Sequence, residues 1–499
     1  MKNFKFILYF LFSFWSVGFS QNPIVISNFP FFRYGRNANS YFEFIGNFEE
    51  SKIFKQCTDL NAKGFIQNFW KFDLEKKTVQ NLSFRKSSNL CERINESNFK
   101  VYNYELLDQN SNNNDFLIKI ICSDFENLNP TTSNRTIYQF NYKQFYPCRI
   151  IVKSAVSPDN SKLGLFIMFI DVNQKISNIH GVVFDEYDEI IWEKSYPNFD
   201  RIEDCEITSF IVTNQNQIIS VFDSIKIDNF NNIDKITKHF YMFLSKDFFK
   251  ITEINLDEYI VKNSKFKYKN NGDFLFCDIS FSKTVCNEQS FNVSIWDSTG
   301  KQIKQINIPY TDKLFNNSKY VYKDNSYLKQ KYTVNYTDIV EMNNGNIVIV
   351  AQNNCEKIVF PNVKKIKKDI LLISLSQDLN QNNTAVIPYI SDYLYVYKER
   401  EMNDMHNVFV LKTNEDIFLC YNDNIENYIN SDLKIWKTNK DIKKNMNCIV
   451  FTKIDENLEF KFYFTTQKNK KNILRQPLFV DEKTIYFLTL DYNVGYLNY

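Results

Sequence analysis

Residues 157–194 read SPDNSKLGLFIMFIDVNQKISNIHGVVFDEYDEIIWEK. The stretch opens on the polar cluster Ser157-Pro158-Asp159-Asn160 and runs almost at once into the apolar KLGLFIMFI. Asn, Asp, Gly and Pro set the backbone for tight turns, and a short apolar run behind such a cluster reads as a buried strand. A second signal follows: apolar residues to Phe184, an acidic turn around Tyr187, and a return strand through Trp192. Two hairpins in close succession point to antiparallel sheet.

Both signals recur along the chain. The first appears again at 112–115 before FLIKII, 214–217 before IISVF, 270–273 before FLFCDIS, 343–346 before IVIV, 413–416 before IFLC and 481–483 before TIYFLTL. The second recurs near Leu74, Tyr142, Lys246, Ser298, Gln377 and Asp455. They alternate, seven of each, which gives four strands per repeat. The expected fold is therefore all-β: a β-propeller of seven four-stranded blades, with tandem β-sandwich domains as the alternative. The series begins on the second signal, in 65–84, and ends on the first, in 479–499. Antiparallel pairing of these two segments is expected to close the ring and cover sheet edges. Residues 21–499 then form a single domain, with 21–60 an extension leading into the first strands.

Residues 1–20 carry Lys2 and Lys5, an apolar middle from Phe6 to Phe19, and Gly18-Phe19-Ser20 before Gln21, the pattern of a secretory signal peptide. The apolar run is shorter than the roughly twenty residues that span a bilayer, so no membrane span is expected after cleavage. The chain is read as exported: periplasmic, outer-surface or secreted. Without Lys2 and Lys5, 58 basic residues face 58 acidic ones. That balance supplies no one-signed field for nucleic acid. The basic runs Lys364-Lys365-Ile366-Lys367-Lys368 and Lys468-Asn469-Lys470-Lys471 read as solvated loop charge. Aromatic residues at 17% with only ten Gly and ten Pro favour buried strand over disorder, and Asn takes over turn duty from Gly.

Ten Cys in an exported chain permit disulfides, with Cys277 and Cys286 placed to face one another across a hairpin. No Cys/His set has zinc spacing. The signal peptide ending in Phe19-Ser20-Gln21, the Ser157-Pro158-Asp159 and Lys162 segment, Phe184-Asp185 with Trp192-Glu193-Lys194, and Phe418–Asn424 with Asn427 together resemble exported propeller-like proteins of Bacteroidetes, of flavobacterial type. The resemblance implies a compartment and a fold, and it supplies no site residues.

Chemistry is sparse. Of His180, His239 and His406, only His406 has a suggestive setting, with Glu401 and Asp404 close by; a His beside a carboxylate can act as a base or hold a metal. No nucleophile elbow, phosphate loop or dinucleotide fingerprint occurs. The segment Asn422-Asp423-Asn424 with Glu426 lacks the spacing and turn Gly of a calcium loop. Trp70, Trp192 and Trp296 fall within the second signal and read as packing between blades, in equivalent places. No cofactor is expected, and the chain is read as a monomer. Two functions compete: a non-catalytic binding or scaffolding propeller for a protein or glycan, and a polysaccharide hydrolase or lyase with carboxylates in the central channel.

Overall fold

The computed structural model describes residues 25–30, 40–48, 51–59, 65–73, 78–81, 89–95, 98–107, 116–125, 133–203, 205–226, 235–254, 259–269, 271–282, 289–311, 321–322, 333–359, 362–395, 407–413, 415–429, 435–436, 447–465, 473–481, 483–489 and 493–499. Their strands make eight four-stranded antiparallel sheets and one two-stranded parallel ladder. Blade 1 comprises Ser40–Phe48, Ser51–Asp59, Phe65–Asp73 and Thr78–Asn81. Blade 2 comprises Asn89–Asn95, Asn98–Leu107, Leu117–Phe125 and Ser133–Asn141. Blade 3 comprises Arg149–Val156, Leu163–Ile170, Lys175–Phe184 and Ile190–Glu203. Blade 4 comprises Cys205–Val212, Ile218–Lys226, Lys235–Leu244 and Phe249–Ile254. Blade 5 comprises Tyr259–Tyr268, Phe274–Ser282, Gln289–Trp296 and Gln302–Tyr310.

Blade 6 comprises Thr333–Glu341, Ile347–Val359, Asn362–Leu375 and Gln381–Tyr395. Blade 7 comprises Phe409–Lys412, Ile417–Asn424, Asn447–Ile454 and Phe460–Phe464. Blade 8 takes Leu474–Asp481, Thr484–Thr489 and Asn493–Asn498 from one end of the chain and Val25–Pro30 from the other. The first strand of each blade lies beside the first strand of the next, and blade 8 returns to blade 1. This is a closed β-propeller, and tandem sandwiches are excluded. Among the described residues no helix is long and apolar enough to cross a membrane.

Packing explains the sequence pattern. A middle strand covered by neighbouring blades on both faces has no polar side, and Leu163–Ile170 is accordingly buried at every residue. Among the described residues eight apolar clusters form, one at each blade interface. Contact is close enough at Gly164 that a Cβ there would come within 2.2 Å of Val212 on blade 4. Trp70, Trp192 and Trp296 are buried between blades as expected. They are not equivalent, because Trp70 and Trp296 lie on third strands and Trp192 on a fourth.

The seven-blade expectation is corrected to eight. Six copies of the first signal mark the first hairpin of a blade and six of the second mark the third hairpin, but those at 112–115 and Tyr142 fall elsewhere. The first precedes the third strand of blade 2, and the second lies between blades 2 and 3. The first hairpins of blades 1 and 2 pair Phe48 with Ser51 and Asn95 with Asn98. Only Glu49-Glu50 and Glu96-Ser97 separate those pairs, links too short to stand out from the strands they join. The closing contact is also corrected. The termini do pair, through Val25 with Tyr496 and Ile26 with Gly495, whereas 65–84 and 479–499 sit in adjacent blades. A second closure acts at the inner edge, where the Gln476 side chain accepts from Phe42 N at 3.2 Å and donates to Phe42 O at 2.5 Å.

Antiparallel order puts the first and third turns of every blade on one side, here the turn face. Their chemistry repeats: Asp185, Asp297 and Asp455 each accept two backbone N–H bonds through Oδ1. The fourth residue of each turn is left-handed: Asp188, Gly300 and Leu458 have φ of 67°, 68° and 63°. This is a type I turn closed by a left-handed bulge residue, which favours Gly or Asn but tolerates others when the turn is otherwise held. Asp188 has a further role. Its buried carboxylate accepts from Arg93 at 2.7 Å, Lys100 at 2.8 Å and Tyr102 at 2.7 Å on blade 2, and pairs with Arg135. Burial alone would raise this carboxyl, but Lys100, Tyr102 and Arg93 outweigh it and hold it below the usual range.

Two outcomes are expected. Deleting the chain through Pro30 bares the edge of Asn493–Asn498 and should lower the melting temperature by several degrees; an unchanged melt would show that the ring closes without this strand. Asp188→Ala strands Arg93 and Lys100 without a counter-charge and should cost about 3–5 kcal/mol in denaturant unfolding. A loss below about 1 kcal/mol would mean the clamp is replaceable by solvent.

Candidate functional site

The opposite, connection face carries the links between second and third strands and from blade to blade. Blade 6 projects here, because its second and third strands run out to the pair Val359 and Asn362. The basic run that includes Lys365, Lys367 and Lys368 lies on this projection. A parallel ladder pairs Val321 with Ile435 and Tyr322 with Trp436, tying the link between blades 5 and 6 to the second-to-third link of blade 7. Loops on a rigid scaffold are where binding residues concentrate, so this face is the natural place for a site.

Glu401, Asp404 and His406 lie outside the described residues, as does Cys286. Asn407, which follows His406, accepts from Lys367 Nζ at 2.5 Å and leads into the inner strand of blade 7. Cys277 is buried, and its cross-strand neighbour is Val293.

His180 is a core residue on blade 3. Tyr138 donates its one hydroxyl proton to Glu193 at 2.8 Å, so its oxygen is left to accept from His180 Nε2 at 2.7 Å. Nδ1 then accepts from Ser195 Oγ at 2.6 Å. Burial lowers the ring to about 4 against the opposing pull of Glu193, which leaves it neutral and weakly basic. A Ser–His contact of this kind resembles the start of a nucleophilic relay, but so weak a proton acceptor gives little activation.

His239 is the opposite case. On blade 4 its Nδ1 donates to Asp223 at 2.5 Å, while Nε2 lies 3.5 Å from Asp278 on blade 5. Tyr241 donates to the other Asp278 oxygen at 2.6 Å and stacks on Phe276. Burial would lower His239, yet the carboxylates of Asp278 and Asp223 outweigh it and raise the ring to about 9. The same imidazolium holds Asp278 below the usual range despite burial. The cluster was missed in the sequence, although acids inside the apolar runs SVFDS and FLFCDIS are a signal of buried polar groups.

The alternative reading, a hydrolase or lyase, calls for carboxylates in the central channel. Glu43 on blade 1 and Glu92 on blade 2 do converge, but on Lys55 Nζ, at 3.8 and 2.9 Å. They form an ion-paired contact between blades, with Glu92 nearly covered. In the Asn422-Asp423-Asn424 segment, the Asp423 carboxylate accepts from Tyr428 OH at 2.7 Å, Asn424 N at 2.7 Å and Asn427 Nδ2 at 3.3 Å. Asn422 spends its amide on both backbone groups of Leu474 in blade 8, each at 2.8 Å. Protein donors already occupy these oxygens, and the segment locks blade 7 to blade 8.

No family model and no curated protein matches this chain. Solved structures similar in fold include the β-propeller domain of the Trilobed protease from Pyrococcus furiosus, 9% identical over 77% of this chain and 89% of that one, TM-score 0.34. The WD40 domain of SCAP from fission yeast is 9% identical over 92% and 98%, TM-score 0.35. A polysaccharide lyase of family PL25, an ulvan lyase, is 8% identical over 89% and 94%, TM-score 0.35. At such identity the likeness concerns fold alone.

The His239 cluster generates a pH dependence. Its folded value near 9 stands above the ordinary 6.5, so its contribution is complete below about 6.5 and lost as pH rises through 9. Stability should fall across that window by an amount on the order of 3 kcal/mol. His239→Gln should be less stable at pH 6 and nearly flat over the same window. Parallel profiles for the two proteins in urea titrations would rule out an imidazolium at this position.

Proposed function

We propose that the protein is an exported, non-catalytic binding or scaffolding propeller of a bacterial cell envelope, which takes a protein or glycan partner on its connection face. The observation that carries this reading is the asymmetry of the ring. The described hairpins of the turn face are short and spend polar side chains on their own backbones and on neighbouring blades, while the longer links and the blade 6 projection gather on the other face. The export signal at Lys2 to Ser20 and the resemblance to exported flavobacterial propellers support the compartment. The described histidines favour binding over catalysis, since His180 is held neutral and His239 is committed to two aspartates. A channel hydrolase or lyase would draw on Glu43 and Glu92, and Lys55 between them favours a structural pairing.

The test is retention of the full-length protein on envelope polysaccharide and envelope protein fractions, with face-specific variants. Val172→Arg and Lys365→Glu alter the connection face; Tyr187→Arg and Asn457→Arg alter the turn face. At least one connection-face change should lower retention several-fold, with both turn-face variants unaffected. Depolymerisation of any fraction with turnover, or loss of retention confined to the turn-face variants, would overturn the reading.

A further inference from the structure

We propose that the connection-face end of the interface between blades 2 and 3 binds an acidic saccharide, with Tyr146 as a stacking platform and Lys143 and Arg149 as the anion contacts. The inference rests on reading the connection face as the binding face. Among the described residues six large hydrophobic side chains are exposed, and three of them, Leu106, Tyr146 and Val172, lie toward the connection-face end of these two blades, 41%, 58% and 69% exposed. Leu106 lies near the end of the second strand of blade 2, Tyr146 in the link to blade 3, and Val172 in the turn after the second strand of blade 3.

Their proximity follows from pairing. The Tyr146 ring lies 4.7 Å from Phe116, which precedes Leu117, the cross-strand partner of Leu107. Arg149 pairs with Ile170, two residues before Val172. Beneath them Phe145 stacks on Phe169 at 4.5 Å, so the patch is the open top of the apolar cluster between the two blades. Exposed apolar surface of this kind, rimmed by polar groups, marks an interaction site.

Charge selects the occupant. Residues 141–149, which link the two blades on this face, hold Lys143 and Arg149 and no acid. Lys143 and Arg149 are exposed, and neither has a side-chain partner among the described residues. Asp171, which follows the Arg149 partner Ile170, spends Oδ1 on the backbone N–H groups of Asn173 and Lys175. Glu105 alternates onto the other side of its strand from Leu106. A pyranose offers a face of C–H bonds to the electron-rich face of an aromatic ring. A uronate or sulfate on that sugar would meet the ammonium of Lys143 and the fork of Arg149. A neutral sugar would use Tyr146 and leave both cations idle.

The test is calorimetric titration of the full-length protein with a short oligogalacturonate, a sulfated galactan oligosaccharide and a neutral galactan oligosaccharide of equal length. One acidic probe should bind at least tenfold tighter than the neutral one, and more weakly as salt is raised. Tyr146→Ala should weaken it about tenfold or more. Lys143→Gln with Arg149→Gln should abolish the preference for the acidic probe, at an unchanged melting temperature. Tyr187→Arg on the turn face should bind as the parent does. Failure of both acidic probes to bind, equal binding of the neutral probe, or indifference to these substitutions overturns the proposal. Indifference combined with loss in Lys365→Glu removes this site and keeps the connection face; loss in Asn457→Arg removes both.

Discussion

Every blade of this protein is apolar on both faces, and such a sheet is stable only between two others. An open stack of them would leave two wet apolar faces, each exposing residues like those of Leu163–Ile170, buried throughout in the ring. Closure removes both. It is therefore the condition on which the fold depends, and the chain enforces it twice, at the outer edge through Val25–Pro30 and at the inner edge through Gln476. Apolar packing supplies the drive, with an aromatic contact such as Phe54 to Phe479, 5.8 Å apart, spanning the seam.

Apolar contact alone is undiscriminating, and polar groups placed within the interfaces add register. Asp188 fits only where Arg93, Lys100 and Tyr102 present their donors from blade 2. His239 reaches across to Asp278, and Asn422 reads the backbone of Leu474. In a low-dielectric interface each such group is costly when unpartnered, so a slipped or exchanged blade is penalised beyond its lost packing. The turn face shares in this work through Asp188, which is at once the left-handed residue of its turn and the centre of an inter-blade clamp. On the connection face Tyr146, Lys143 and Arg149 stand exposed, outside these polar contacts.

The sequence by itself determined the class of fold and most of its repeats. Hairpin signals depend on a few adjacent residues, and turn chemistry acts locally, so Asn214–Gln217 and Asp297–Gly300 announced their turns without help from the rest of the chain. Leu379 and Leu458 show where that logic ends: each is left-handed, a conformation Leu does not advertise, because Ser376 and Asp455 hold the turns around them. The blade count failed at the first hairpins of blades 1 and 2, where Phe48 pairs with Ser51 and Asn95 with Asn98 across links of only two residues that do not stand out from their strands. Only tertiary structure decided which strand closes the ring, which acid meets His239, and that Leu106, Tyr146 and Val172 lie toward one end of two adjacent blades. Those are contacts between residues far apart in the chain, and their free energy depends on burial and charge across an interface that no local pattern records.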